Sequence, residues 1–304
     1  MLFAGFGELL NAGVRTQDMT AHQPGVDTDP DSMWSAALAR GLVRDDVLRS
    51  MRYCDGYTDL LGSSVPARRS LARWAMHSPI VAEIYQRLWR PIMVVVTSLH
   101  GISISAERER AVAAVHLGGE QRVLDVACGP GDSTSFLAGQ LGGDGFVIGL
   151  DNSVPMMERA VRDNNRARAV YMRGDALSLP FNNRAFDVVC CFAALQMMPE
   201  PIGVLQEMVR VLAPGGRIAV MTSYGRESFL ERKGLELGAT ICGVRVFDRT
   251  TLPAFFAAAG LIDIDQQLRG ISQFVIARRP DVTEIDRWRT RLAGRRIRRG
   301  STGS

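Results

Sequence analysis

Arg122-Val123-Leu124-Asp125-Val126-Ala127-Cys128-Gly129-Pro130-Gly131-Asp132-Ser133-Thr134 decides the fold. Val123 to Val126 reads as a short buried strand, Cys128 to Asp132 as a tight glycine loop, and the residues from Ser133 as a helix. A strand that turns through glycines into a helix aims free backbone N–H groups at one point. Lacking a Cβ, Gly129 and Gly131 let a ligand approach the backbone closely. Asp125 and Asp132 make the loop partly acidic, which disfavours a pyrophosphate and favours a ligand carrying an amino group. The dinucleotide fingerprint G-x-G-x-x-G needs a third glycine where this chain has Thr134.

Downstream, helices and strands alternate. The pattern predicts strands at 122–127, 146–150, 168–172, 186–192 and 216–222, with helices at 133–141, 153–163 and 201–212 between them. Such alternation implies a parallel sheet covered by helices on both faces. A helix over 252–259 follows, stopped by Gly260, and then strands over 262–268 and 271–277. The two-residue link Arg269-Gly270 requires that last pair to be antiparallel.

Upstream the chain reads differently. Residues 1–30 show little periodicity and suggest a loose arm. The spacing of Trp34, Leu38, Leu42, Val47, Leu48 and Met51 predicts two short helices over 31–61, and further helices are expected over 67–76 and 79–88. Residues 1–104 thus read as a helical extension that covers the site as a lid. In it Tyr85 and Trp89 lie four apart, on one helix face, where their rings could stack over a cationic ligand. Residues 281–304 carry seven arginines against three acids and read as a disordered tail able to touch an anionic membrane surface.

Composition narrows the function classes. The 36 basic and 32 acidic residues give +4, and the tail accounts for that excess, so the body has no basic field for nucleic acid. Lys233 is the only lysine, which argues against lysine-based covalent catalysis. No stretch of 18 apolar residues occurs, so no transmembrane helix is expected, and the apolar Met1–Leu10 start lacks the basic residues of a signal peptide. The five cysteines form no C-x-x-C pair; no metal site is expected, and reduced thiols in a cytoplasmic protein are.

Asp151 ends the second strand about 20 residues beyond the glycine loop, a spacing that suits a carboxylate accepting from ribose hydroxyls. Its competing role is to cap the next helix, for which Ser153 is the rival. Asp175 and Ala176, after the third strand, could face an adenine edge through the carboxylate and the backbone N–H.

The set VLDVACGPGDST, GLDNSVPMMERA, RGDALSLPF, FDVVCCFAALQMM and VLAPGGRIAV resembles the class I S-adenosylmethionine-dependent methyltransferases, and within them the group of menaquinone and ubiquinone biosynthesis enzymes. The resemblance covers residues 105–280, the expected catalytic domain. It implies a Rossmann-like, seven-stranded, mostly parallel sheet whose last strand is antiparallel. It implies S-adenosylmethionine as cofactor, with Asp125, Cys128, Gly129 and Gly131 at its methionine part, Asp151 on the ribose, Asn152 and Met156 bordering the adenine, and Asp175 and Ala176 on the adenine edge. Phe192 falls where the fourth strand meets the substrate pocket, with Leu195 and Met197 on its rim. The resemblance thus implies methyl transfer by in-line displacement to a small, lipophilic acceptor such as a quinone or phenol, with no nucleic acid partner. The quinone enzymes carry an Arg-containing stretch after the fourth strand, where this chain has Ala193-Ala194-Leu195-Gln196-Met197-Met198. None of His22, His77, His100 and His116 sits in a motif that marks a general base. The alternatives are an NAD-dependent oxidoreductase, which the missing third glycine opposes, and a non-catalytic binding protein, which the complete motif set opposes.

Overall fold

The computed structural model describes residues 41–62, 104–225, 245–270 and 272–284, with side chains from residue 109 onward in the second stretch. The expected lid residues Tyr85 and Trp89, the arm before residue 41 and the Arg-rich tail beyond residue 284 lie outside the described residues.

Five strands open from the middle of the chain: β3 (Arg122–Val126), β4 (Phe146–Asp151), β5 (Ala169–Arg173), β6 (Phe186–Phe192) and β7 (Leu212–Ser223). Their apolar runs are nearly continuous because both faces are covered. Val123, Leu124 and Val126 of β3 are each 0% exposed. Burial of each such side chain contributes about 1.5–3 kcal/mol, so β3 is the spine of the sheet. Helix α2 (Ile104–Ala114) precedes it, and α3 (Asp132–Ala138), α4 (Val154–Asn164) and α5 (Pro201–Val211) fill the crossovers. Helix α6 (Thr251–Ala258) leads to β8 (Ile262–Arg269) and β9 (Ser272–Arg278).

β3 to β7 run parallel, and β9 lies antiparallel between β7 and β8. These seven strands form the expected Rossmann-like sheet. Alternation along the strands separates two cores. Val123, Val147, Val188 and Cys190 pack with Leu137 of α3 and Ala160 of α4. Leu124, Ile148, Leu150 and Val189 pack on the other face with Leu205 and Met208 of α5 and Phe256 of α6.

The sheet is larger than expected. A single-turn helix α1 (Asp45–Leu48) is followed by β1 (Arg52–Cys54) and β2 (Tyr57–Asp59), an antiparallel hairpin whose second strand pairs parallel to β5. The sheet therefore has nine strands, in the order β1-β2-β5-β4-β3-β6-β7-β9-β8. The helices expected toward residue 61 give way to this hairpin for a local reason. Asp55 and Gly56 both take positive φ, 43° and 91°, and an Asp-Gly pair is a strong hairpin-turn signal. Tyr57, Thr58 and Asp59 are all buried, so the hairpin is a built-in edge of the sheet.

Candidate cofactor and acceptor site

Strand order reverses at β3, which has β4 on one side and β6 on the other. In open α/β sheets, the crevice outside the carboxyl ends at such a point is where ligands bind. The glycine loop, Asp151, Asp175 and Phe192 all follow or end strands at that edge.

The glycine loop and the end of β4 are joined. The Asp151 carboxylate accepts the Gly129 N–H at 3.0 Å and the Ser153 N–H at 2.9 Å. Asp151, half-buried, is thereby held by backbone from two loops, while Ser153 at the N-cap of α4 makes no side-chain capping bond. Burial pushes the Asp151 carboxyl above its ordinary range, with the N–H groups of Ser153, Gly129 and Asn152 pulling it back.

The two loop glycines do different work. Gly129 has φ 56°, and a Cβ there would meet nothing within 4 Å, so its outer side is open to an approaching molecule. Gly131 has φ 83°, but a Cβ there would lie 2.6 Å from the Tyr171 hydroxyl. Gly131 is therefore needed for close packing against Tyr171 of β5. Tyr171 in turn donates to the Asn164 carbonyl at 2.8 Å, and the Asn164 side chain donates to the Pro130 carbonyl at 2.8 Å. Burial drives the Tyr171 phenol far above its ordinary value, so it stays a neutral donor.

Beneath the loop, Asp125 is 1% exposed and accepts from the Thr134 hydroxyl at 2.7 Å. Such depth makes it a support of the loop rather than a surface facing the crevice. Cys128 is buried beside it, and desolvation holds its thiol well above the ordinary range. Gly149 of β4 makes room for this cluster, since a Cβ there would stand 2.8 Å from the Thr134 Oγ1 and 3.0 Å from the Cys128 Sγ. Thr134 and Gly149 were not singled out in the sequence. The signal was available in Thr134, a hydroxyl one helical turn after the glycines.

On the side beyond β4, Met156 is buried, whereas Asn152, Asp175 and Ala176 are half-buried. Asp175 accepts the Leu177 N–H at 3.0 Å, which makes it a turn former as well as an edge residue.

Across β6, Phe192, Met221 and Phe274 occupy one row on three neighbouring strands. The Phe192 and Phe274 rings stack with centroids 6.3 Å apart and planes 19° apart. Leu195 is fully buried and so backs this region instead of rimming it, while Met197 is half-buried. Gln196 is tied at both ends, accepting from the Thr222 hydroxyl at 2.9 Å and donating to the Ala193 carbonyl at 2.9 Å. Arg245, far along the chain, reaches the same stretch: its backbone N–H bonds the Gln196 carbonyl and its guanidinium the Pro199 carbonyl. An arginine thus stands beside the segment after β6, although none lies in that segment's sequence. His116 is not near this edge, because it bonds Arg217, which is in register with Val188 near the amino end of β6. Among the described residues no group of three or more His, Cys, Asp or Glu could hold a metal ion, and no helix is long and apolar enough to cross a membrane.

This sheet order, with a glycine loop after β3 and a carboxylate ending β4, is a Rossmann-like architecture. Residues 123–216 match the family described as a methyltransferase domain. The demethylmenaquinone methyltransferase of Lactiplantibacillus plantarum is 40% identical over 118 residues, 38% of this chain and 50% of that protein. The corresponding Bacillus subtilis enzyme is 33% identical over 125 residues, 40% of this chain and 54% of that protein. The chain spans about half the length of the curated relatives it matches. Among solved structures, the [4+2]-cyclase SpnF superposes with a TM-score of 0.51 at 20% identity, covering 72% of this chain and 100% of the other. That likeness concerns the fold, since SpnF is named for a different reaction. Over the matched stretch the chain is similar to a methyltransferase domain and to the demethylmenaquinone methyltransferases.

Proposed function

We propose that this chain moves a methyl group from S-adenosylmethionine to a flat, lipophilic acceptor of the quinol or phenol class. The observation that carries the cofactor part is the Asp151–Gly129 link beside an open glycine position. Filling Gly129 would remove that opening, and a carboxylate has lone pairs to spare for ribose hydroxyls after accepting backbone N–H groups. Gly129, Asp151 and Asn152 would hold the adenosine and methionine parts, with Asp175 and Ala176 at the adenine edge and Asp125 supporting from below. S-adenosylmethionine supplies an electrophilic methyl group on a sulfonium. The protein's work is then to hold the acceptor in line with that methyl and exclude water, which lowers the barrier through positioning.

The acceptor class rests on the Phe192–Met221–Phe274 row, an apolar surface suited to an aromatic ring. The relatives named demethylmenaquinone methyltransferases support the same class. A quinone is electron-poor, as is the sulfonium methyl, so the reduced quinol must be the form methylated. A ring carbon or phenolic oxygen would supply the electron pair for the new bond as the methyl–sulfur bond breaks; that bond's pair would stay on sulfur, leaving S-adenosylhomocysteine, and the proton on the attacking atom would leave to solvent.

The test is transfer of labelled methyl from S-adenosylmethionine to a short-chain demethylnaphthoquinol, to the matching quinone and to a set of amines. Label in the quinol and not in the quinone is the expected result. Label only in amines would overturn the acceptor class, and failure of the protein to bind S-adenosylhomocysteine would overturn the cofactor assignment.

A further inference from the structure

The β1–β2 hairpin lies more than sixty residues upstream of the glycine loop and outside the stretch that matches the methyltransferase domain. Its last residue, Asp59, is nevertheless in register with Arg173 of β5, and Arg173 is in register with Asp151 of β4. The three residues form one row across the carboxyl ends of neighbouring strands. Arg173 Nη1 meets both Asp59 oxygens, at 3.1 and 3.0 Å, in a pair whose residues are 3% and 8% exposed. The same nitrogen donates to the Gly62 carbonyl at 2.6 Å, and Asp59 accepts the N–H groups of Leu61 and Gly62 at 2.8 and 3.1 Å. The hairpin's end is thus folded around the guanidinium. Arg173 Nε points the other way and donates to the Asn152 carbonyl at 3.2 Å.

A buried ion pair is weak as a stabilising device, because apolar residues of similar size do as well or better. Its distinguishing product here is direction. A lysine could satisfy Asp59 as a point charge, but only the planar fork of arginine reaches Asp59 and the Asn152 carbonyl at once. That carbonyl belongs to the residue directly after Asp151, and the Gly174 N–H bonds the Asp151 carbonyl at 3.0 Å. Both loops that border the adenosine part of the cofactor are therefore tied to residue 173.

We propose that Asp59 and Arg173 are positioning residues of the cofactor site, through which the upstream hairpin fixes the Asp151–Asn152 loop against the adenosine of S-adenosylmethionine. The inference rests on the cofactor reading above.

The experiment measures S-adenosylhomocysteine affinity by calorimetry and melting temperature for the full chain, Arg173→Lys, Asp59→Asn and Asp187→Asn. Asp187 pairs with Arg122 at the amino end of the sheet, away from the crevice, and serves as control. Arg173→Lys keeps the charge and loses the Nε donor. It is expected to weaken binding roughly fivefold to tenfold, as loss of one net hydrogen bond does, and to raise the KM for S-adenosylmethionine without changing kcat. Asp59→Asn, which retains an acceptor for Leu61 and Gly62, is expected to weaken binding in the same direction even if Arg173→Lys fails to fold. Asp187→Asn should bind as the parent does. Parent-like affinity in folded Arg173→Lys and Asp59→Asn would overturn the proposal, as would an equal loss in Asp187→Asn. A parent chain that does not bind S-adenosylhomocysteine at all would remove the cofactor reading and this inference with it, which the parent measurement alone reveals.

Discussion

The Asp151 carboxylate accepts the Gly129 N–H at 3.0 Å, so the acidic end of β4 and the glycine loop after β3 form one unit. Asp151→Ala removes acceptors from Gly129 and Ser153 together. Each half-buried N–H left without a partner costs about 1–3 kcal/mol. The variant should therefore lose both S-adenosylhomocysteine affinity and stability, seen as a lower urea midpoint in the same protein. Full stability with lost affinity would mean that the two N–H groups find water at no cost.

Acidity supplies a second expectation. Burial, the largest influence, raises the Asp151 carboxyl above 3.8. A carboxyl raised in the folded state holds its proton more tightly folded than unfolded, so this group subtracts stability as pH climbs from below 3.8 through the raised value. Ligand affinity runs the opposite way, because ribose hydroxyls donate best to the ionised form. Affinity for S-adenosylhomocysteine should fall as pH drops from about 8 toward about 4, with its midpoint above that of an ordinary carboxylate. Asp151→Asn should flatten that profile. A profile that keeps its slope in the variant would assign the titration to another group.

Gly129 and Gly131 should separate ligand binding from packing. Gly131→Ala places a methyl group against the buried Tyr171 ring at a φ of 83°. Overpacking alone costs about 1–3 kcal/mol, and a left-handed backbone adds about 1–2 kcal/mol. Gly129→Ala meets no atom within 4 Å and carries only the backbone cost at φ 56°. Gly131→Ala should thus be the less stable in urea, and Gly129→Ala should show the greater loss of affinity for each unit of stability lost. The reverse ranking would exchange their roles.

Much of this arrangement is legible in the sequence because its signals are local. Val123–Val126, Cys128–Gly131 and Asp151 follow from apolar runs, glycine spacing and distance along the chain. What escaped was carried by contacts distant in sequence. Asp59 and Arg173 are 114 residues apart, and no periodicity reports such a pair. Arg245 stands beside Gln196 only because the chain after β7 returns to the segment following β6. The β1–β2 hairpin was announced locally, by Asp55-Gly56, but the helical spacing of Val47, Leu48 and Met51 beside it suggested the opposite structure. Gly131 looked like Gly129 because sequence shows that a Cβ is missing and not what would fill its place.

Thr134 offers a test of the support beneath the loop. Its hydroxyl donates at 2.7 Å to Asp125, which is 1% exposed. Thr134→Val keeps the shape and removes the donor. Leaving a buried acceptor short of a hydrogen-bond partner costs about 1–3 kcal/mol. Thr134→Ser should recover most of that, leaving only the missing methyl group. A valine variant as stable as the parent would show that Asp125 is satisfied without Thr134.

Under the proposed function, substitution of Phe192 should separate acceptor recognition from cofactor binding. The ring is half-buried, stacked on Phe274, and in register with Met221. Phe274 is 4% exposed and belongs to the core, whereas Phe192 is half-buried and is the last residue of β6, at the carboxyl edge of the sheet. Phe192→Ala removes the stack, worth about 0.5–1.5 kcal/mol beyond burial, so a modest fall in melting temperature is expected. The informative quantity is the KM for a demethylnaphthoquinol, which should rise roughly tenfold, the ratio that about 1.4 kcal/mol gives. S-adenosylhomocysteine affinity should change far less, because the Asp151–Gly129 unit lies across β3 from this ring. Phe192→Leu should restore stability better than acceptor binding, since an aliphatic side chain fills volume without offering a flat face. If acceptor KM stayed at the parent value in Phe192→Ala while cofactor affinity fell, the ring would belong to the cofactor side of the crevice, and the aromatic row would no longer support a planar acceptor.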